Sequence, residues 1–216
     1  MADRMHHYRG EQIDVSYDAG RCIHAAECVR RLAAVFDTSQ RPWVQPDNAD
    51  ADAVAAAIAR CPSGALRYTR HDGGTEETPD AVNRVTPQPN GPLYARGDIE
   101  VHASNGELIA HGTRVALCRC GHSANKPFCD NSHRAAGFQD PGAIGEKTLK
   151  PADQAEHTLV VTPTENGPLQ LRGPLEICDV AGETCRSGGL AYLCRCGGSG
   201  NKPFCDGTHS KIGFQD

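Results

Sequence analysis

The chain has 216 residues, 11 of them cysteine, a net charge of −5 and only 5% aromatic residues with a single tryptophan. An acidic balance with no basic run excludes nucleic acid and anionic membrane surfaces as partners. No apolar run reaches bilayer length or resembles a secretion signal, which points to a soluble monomer of a reducing cytoplasm, with no membrane contact.

Residues 1–10 (MADRMHHYRG) are polar and read as a mobile terminus, with His6 and His7 on the surface. Ile13, Val15 and Tyr17 alternate as in a short strand, which Asp18, Ala19 and Gly20 end. Cys22 and Cys28 follow, with His24 between them. Val29, Leu32, Ala33 and Phe36 then fall at helical spacing and predict the core face of a helix. Arg41–Val44 reads as a second strand, with Pro42 near its start and Trp43 as a core anchor. The acids of 47–52 precede AVAAAIAR, a helix with negative charge at its positive end. Cys61-Pro62-Ser63-Gly64 stops that helix, and Ala65, Leu66 and Tyr68 form a third strand. Residues 1–70 are thus a small β-α-β-α-β unit.

Cys61-Pro62 is the remote Cys-Pro that bacterial-type ferredoxins return to a cluster begun by an earlier cysteine run. That run normally has three cysteines; here Ala25 stands in the middle place. With C-x-H-x3-C, RPW and CPSGAL, the unit resembles the divergent single-cluster ferredoxin family. The resemblance implies that Cys22, Cys28 and Cys61 hold one [3Fe–4S] cluster, or a [4Fe–4S] cluster completed by His24 or a water. Three buried free thiols in a small α/β fold are the plainer alternative. Residues 71–84 are polar, contain Gly and Pro and lack periodicity, and read as a linker.

The rest of the chain is a repeat. Val85–Asp140 aligns without a gap with Val161–Asp216, and 30 of the 56 positions are identical, so the repeat is a structural unit and not a chance motif. Its densest stretch is CRCGHSANKPFCDNSH, Cys118 to His133, which returns as CRCGGSGNKPFCDGTH, Cys194 to His209. Three thiolates and an imidazole complete a four-ligand metal set. Cys-x-Cys is tighter than the usual spacing of a zinc knuckle and suits the exposed edge of a cluster better. Asp130 and Asp206 are good N-cap residues for a short helix whose first turn carries the histidine.

These residues resemble the CDGSH iron–sulfur family. Copy one departs from its pattern at Asn131, where the family has Gly, and Asn is the side chain that best tolerates the turn's positive φ. The resemblance implies a [2Fe–2S] cluster in each copy. Cys118 and Cys120 would hold one iron and Cys129 and His133 the other; Cys194, Cys196, Cys205 and His209 would repeat the arrangement. The alternative is two zinc sites with the same ligands.

Ahead of each ligand set the pattern predicts a hairpin whose last strand carries Cys-x-Cys to the metal: Ile99, Val101 and Ala103 alternate, a turn follows at 104–106, and Arg114–Leu117 leads into Cys118. In copy two the turn falls at Ala181-Gly182 and Leu190–Leu193 leads into Cys194. One 56-residue unit is too short to bury its strands. The two repeats, 85–140 and 160–216, are therefore expected to pack as an intramolecular pseudo-dimer, with 141–159 as a polar connector. Cys178 and Cys185 stand where copy one has His102 and Ile109, and read as buried strand thiols. His122, inside the first ligand loop, reads as a solvent-exposed side chain.

The expected class is α+β: a small ferredoxin-like domain followed by two β-rich repeats. The expected function is electron transfer by one [3Fe–4S] or [4Fe–4S] and two [2Fe–2S] clusters, and not enzymatic catalysis. No nucleophile, catalytic pocket or dinucleotide fingerprint is evident. A cluster donor or redox/iron sensor, and a zinc-bearing interaction module, are the alternatives. The expected partner is a redox protein or an apo-acceptor.

Overall fold

A computed structural model describes residues 4–152 and 157–216. The chain divides into two compact units, Met1–Thr78 and Pro79–Asp216.

In the first unit, β1 (Met5–Tyr8), β2 (Ile13–Asp18) and β3 (Leu66–Arg70) form an antiparallel sheet in the order β1-β2-β3. Ile13 and Val15 alternate inward and are buried, packing with Val54, Ile58 and Leu66. Between β2 and β3 lie α1 (Glu27–Arg31) and α2 (Ala51–Ile58). The Asp50 carboxylate caps α2 by accepting from the Ala53 amide at 2.8 Å, a bond of about 1 kcal/mol.

Three expectations need correction here. The polar start of the chain is not all a loose end, because Met5–Tyr8 pairs with β2 along its length. The first helix spans only five residues, none of them buried. Ala33 is exposed, while Val35 and Phe36 enter the core through the turns beyond that helix. Helical spacing and a short helix followed by a turn place similar residues inward, and propensity does not separate them. Arg41–Val44 is not a strand; it makes one isolated bridge, Phe36 to Val44. Trp43 is half-buried and packs edge-on against Tyr17 and Tyr8.

The second unit contains β4 (Arg84–Pro87), β5 (Leu93–His102), β6 (Leu108–Leu117) and α3 (Ser132–Ala135), then β7 (Leu159–Pro163), β8 (Leu169–Cys178), β9 (Cys185–Leu193) and α4 (Thr208–Lys211). All six strands belong to one sheet. The long hairpins β5–β6 and β8–β9 alternate buried and half-exposed residues on their first strands. The short strands join the repeats. β4 pairs antiparallel with β5 of its own repeat and parallel with β8 of the other, at Arg84–Glu176 and Val85–Ile177. β7 does the reverse, pairing antiparallel with β8 and parallel with β5 at Ile99–Leu159 and Val101–Val161.

The register breaks at Gly97 and Gly173, whose φ values of 131° and 117° bend the long strands so that each half meets a different partner. A Cβ on Gly97 would strike Asn83, and one on Gly173 the Thr158 carbonyl. Val85, Leu93, Ile99, Val101 and Leu117 share one buried cluster with Leu159, Val161, Leu171, Ile177 and Leu193. A unit too small to bury its own strands thus covers them with its sequence repeat.

Candidate metal centres

Each four-ligand site is built by one strand end and one folded loop. In the first, Cys118 and Cys120 follow directly on β6. The loop returns as a short ladder: the Cys118 amide donates to the Pro127 carbonyl at 2.8 Å, and the Cys129 amide to Ala116 at 2.9 Å. Buried Ser123 ties the loop's interior, donating from Oγ to the Phe128 carbonyl at 2.7 Å and accepting from the Asn125 amide at 3.0 Å. The Asp130 carboxylate accepts from the amides of Ala124 and Ser132 at 2.8 and 3.0 Å. The N-cap is nonetheless Asn131 and not Asp130; its φ of 74° sits in the left-handed region where the family pattern has Gly. The aspartate caps from one place upstream. His133 then lies in the first turn of α3, only 7% exposed.

The second site repeats this bond for bond, through Cys194 to Pro203, Cys205 to Tyr192, Ser199 to Phe204, and Asp206 to the amides of Gly200 and Thr208. Gly207, with φ of 85°, is its N-cap.

The ligand atoms come in pairs. Cys118 Sγ and Cys120 Sγ are 3.8 Å apart, and Cys194 and Cys196 are 3.7 Å apart. Cys129 Sγ lies 3.5 Å from His133 Nδ1, and Cys205 Sγ 3.4 Å from His209 Nδ1. Metal–sulfur bonds of about 2.3 Å and metal–nitrogen bonds of about 2.0–2.1 Å, meeting at a tetrahedral angle, separate two thiolates by about 3.8 Å and a thiolate and imidazole by about 3.5 Å. Each pair is therefore spaced to share one metal atom. Among the described residues no three of these four ligands lie within 4.8 Å of one another. One tetrahedral ion would require all four that close. The donor set fits two metal atoms per site, one on each pair.

The electrostatics ask for a cation. The contact between the Cys118 and Cys120 sulfurs holds Cys118 down to about 6 and pushes Cys120 far up. Burial pushes Cys129 up to about 11 and also raises Cys194 and Cys205. Burial, with Arg134 and Arg119 nearby, lowers His133 and so favours the neutral, ligating ring. Backbone amides already point at the sulfurs: His122 and Gly198 at Cys120 and Cys196 (3.5 Å each), Asn131 at Cys129 (3.4 Å) and Gly207 at Cys205 (3.5 Å). The exposed His122 side chain is not what touches the site; its amide is.

The two sites adjoin. Cys120 and Cys196 form an antiparallel backbone bridge. A Cβ on Gly121 would stand 2.9 Å from the Cys196 carbonyl oxygen, and one on Gly197 would stand 2.8 Å from that of Cys120.

Sequence reasoning missed the role of Arg119 and Arg195, the residues between the paired cysteines. Both are fully buried. Arg119 donates Nε–H to the Gly91 carbonyl at 2.7 Å, bonds the Gln88 carbonyl and Asp140, and lies over Phe138. Arg195 donates to the Gly167 and Thr164 carbonyls and lies over Phe214 in the same way, but meets Asp216 as an ion pair without a hydrogen bond. The signal was present in the identity of the Asn-Gly-Pro-Leu and Gly-Phe-Gln-Asp segments of the two copies. These segments hold the guanidinium that braces each Cys-x-Cys.

In the first unit, Cys22, Cys28 and Cys61 line one small recess with Tyr17, His24 and Trp43. Burial pushes Cys28 up to about 11, and the neighbouring Cys61 and Cys22 add to it. The three thiols are not within single-ion distance of one another. A larger cluster that puts each thiolate on its own iron asks for that spread. His24 is exposed, and both it (φ 49°) and Ala26 (φ 60°) are left-handed, so the ligand loop is held in a conformation non-glycine residues avoid.

Cys178 and Cys185 are not free thiols as expected but a disulfide across β8 and β9.

Comparison with known proteins agrees with this chemistry. Residues 8–71 match the family model described as divergent 4Fe-4S mono-cluster, and residues 90–134 and 166–210 each match the iron-binding zinc finger of CDGSH type. The uncharacterized protein YjdI of Escherichia coli K12 is 44% identical over 64 residues, which are 30% of this chain and 83% of that protein; YjdI of Escherichia coli O157:H7 matches equally. No solved structure matches the chain.

Proposed function

Because the chain belongs to the CDGSH-type iron-binding family and carries a divergent 4Fe-4S mono-cluster domain at its start, we propose that this iron–sulfur protein is an electron carrier and not an enzyme. In this reading each Cys3His set holds a [2Fe–2S] cluster, and Cys22, Cys28 and Cys61 hold a [3Fe–4S] or [4Fe–4S] cluster. The paired 3.4–3.8 Å spacings, with no third ligand close by, support two irons per CDGSH site over one zinc. The shared sheet supports treating the repeats as an intramolecular pseudo-dimer.

The observation that carries electron transfer is the Cys120–Cys196 bridge. It puts a ligand of one site against a ligand of the other, so an electron entering either has a short route to both. Bound clusters supply the one-electron chemistry. The chain's own residues aim amides at the sulfurs of both sites, and at the first site they bury the ligands and favour the neutral His133 imidazole. A redox protein is the expected partner, in a reducing cytoplasm; no helix among the described residues is long and apolar enough to cross a membrane.

A cluster-donor or sensor role is the second reading, favoured by the half-buried state of Cys205 and His209 at the second site. Anaerobic purification with iron, sulfide and EPR analysis tests the composition: about 7 or 8 irons per chain are expected. Stoichiometric zinc in iron-replete protein refutes it. Reduction and reoxidation with iron retained marks a carrier. Stoichiometric loss of iron and sulfide to an apo-acceptor marks a donor.

A further inference from the structure

The far end of the β8–β9 hairpin carries a cluster that the iron sites do not use. Cys178 and Cys185 face each other directly in the ladder and are joined by the disulfide. Glu176 lies two residues before Cys178, on the same face of β8 because strand side chains alternate. The ligand atoms of Glu176, Cys178 and Cys185 all lie within 4.8 Å of one another, which no other set of three or more His, Cys, Asp or Glu does among the described residues. Copy one has Glu100 and His102 at the matching places, with Nε2 and Oε2 2.9 Å apart, and Ile109 in place of the second cysteine. The nine residues of β9, about 30 Å of strand, separate Cys185 from the second iron site.

The turn of this hairpin also has hydrogen bonds of its own. The Asp179 carboxylate accepts from the amides of Glu183 and Thr184 at 2.9 and 3.1 Å. The Asp179 amide donates to the Thr184 carbonyl at 3.1 Å, and Gly182 donates back to Asp179 at 3.1 Å. With the turn held this way, cleaving the S–S bond leaves two sulfurs facing each other beside a carboxylate.

The geometry points to a redox-gated metal site: once a dithiol reduces the disulfide, Cys178, Cys185 and Glu176 bind one thiophilic divalent cation of the zinc type. The steps balance. A thiolate of the dithiol attacks the sulfur of Cys185, the more exposed residue of the pair, the S–S bond breaks, and the second thiol of the reductant closes its own disulfide. Two electrons and two protons pass to Cys178 and Cys185. Cation binding then releases both thiol protons, and water takes the fourth tetrahedral position. Two thiolates select zinc over magnesium or calcium. Arg84 Nη2 lies 2.9 Å from one Glu176 oxygen, which fixes the carboxylate and leaves its second oxygen for the metal. The Arg84 charge also opposes an incoming cation, so affinity is set partly by that pair. None of this rests on the iron reading.

The test uses the full chain, purified anaerobically with its iron. Protein reduced with dithiothreitol and freed of it is dialysed against zinc chloride beside unreduced protein. Reduction should expose two further thiols and add one bound zinc per chain, with iron unchanged. Cys185→Ser, a change at an exposed position, should abolish the added zinc. Glu176→Gln, which leaves the disulfide in place for folding, should weaken it at least about tenfold, and Arg84→Ala should strengthen it. The proposal is overturned if reduction adds no zinc, if C185S binds the same extra zinc, or if zinc gained equals iron lost.

Discussion

One sixteen-residue motif stands in this chain twice, with the same ligands and nearly the same hydrogen bonds, yet the two sites differ in how far water reaches them. At the first, Cys118, Cys120, Cys129 and His133 are all buried. At the second, Cys194 is buried but Cys196, Cys205 and His209 are only half-buried. The copies also differ beside the ligands: Gly198 stands where copy one has His122, and Ser210 where it has Arg134. Ligand chemistry is therefore a property of the motif, and accessibility a property of its flanks. The first centre is thus an inner one and the second an outer one, and in the proposed carrier role the outer would be the point of exchange with a partner.

Acid should separate the two centres most strongly. Burial, with Arg134 and Arg119 nearby, holds the His133 imidazole below its ordinary 6.5. A base with a lowered folded pKa contributes stability that is full above 6.5 and lost as pH falls through the lowered value. The first site should thus keep its metal below pH 6.5. The second, whose imidazole water can reach, should lose its metal earlier. Visible absorbance should fall in two phases, with His209→Cys suppressing the earlier and His133→Cys the later. A single phase in wild type contradicts the inner–outer distinction.

Next in size is the loss of the bracing arginines. Arg119→Ala leaves Asp140 buried without its cation, a change worth about 3–5 kcal/mol. Arg195→Ala should cost less, because the Asp216 side chain is 26% exposed against 10% for Asp140. Denaturant unfolding of the two variants, with iron content per chain, measures the ordering.

Smaller still is the contact that both centres share. Gly121→Ala or Gly197→Ala puts a Cβ under 3 Å from the opposite cysteine's carbonyl, at a φ above 80°. Each should cost about 1–3 kcal/mol. Each should also weaken magnetic coupling between the two reduced centres in EPR spectra, relative to wild type. Unchanged coupling in a folded variant would show that the bridge does not set their spacing.

The smallest effect tests the one departure from the family pattern. Asn131 already occupies the left-handed position that Gly207 fills in copy two. Asn131→Gly should therefore change stability by only a few tenths of a kcal/mol, about the range for such a cap exchange, with no change in iron content on assay.

The ligand sets were legible because they are local. Cys-x-Cys, the loop, Asp130 and His133 lie within sixteen residues, and strand-end geometry, an Asp-capped turn and one helical turn account for most of how they meet. The hairpins were equally legible, since alternation and turn residues lie side by side in the sequence. The first helix was not. Its apolar residues, Val29 to Phe36, suit a continuous helix as well as a short one followed by a turn, and the packing of Phe36 against Trp43, with the bridge to Val44, decides between them.

The sequence by itself determined the donor atoms, their division into sets and the repeat that carries two of them, because each depends on residue identity at short spacing. Only the tertiary structure decided which strand of one repeat pairs with which of the other, since an edge strand's hydrogen-bonding groups accept any partner and the choice is made by the bends at Gly97 and Gly173. Only it joined Cys178 to Cys185, for facing positions on two strands follow from register and not from composition. It also set the inner and outer character of the two iron centres, because burial is decided by what folds over a residue from elsewhere in the chain.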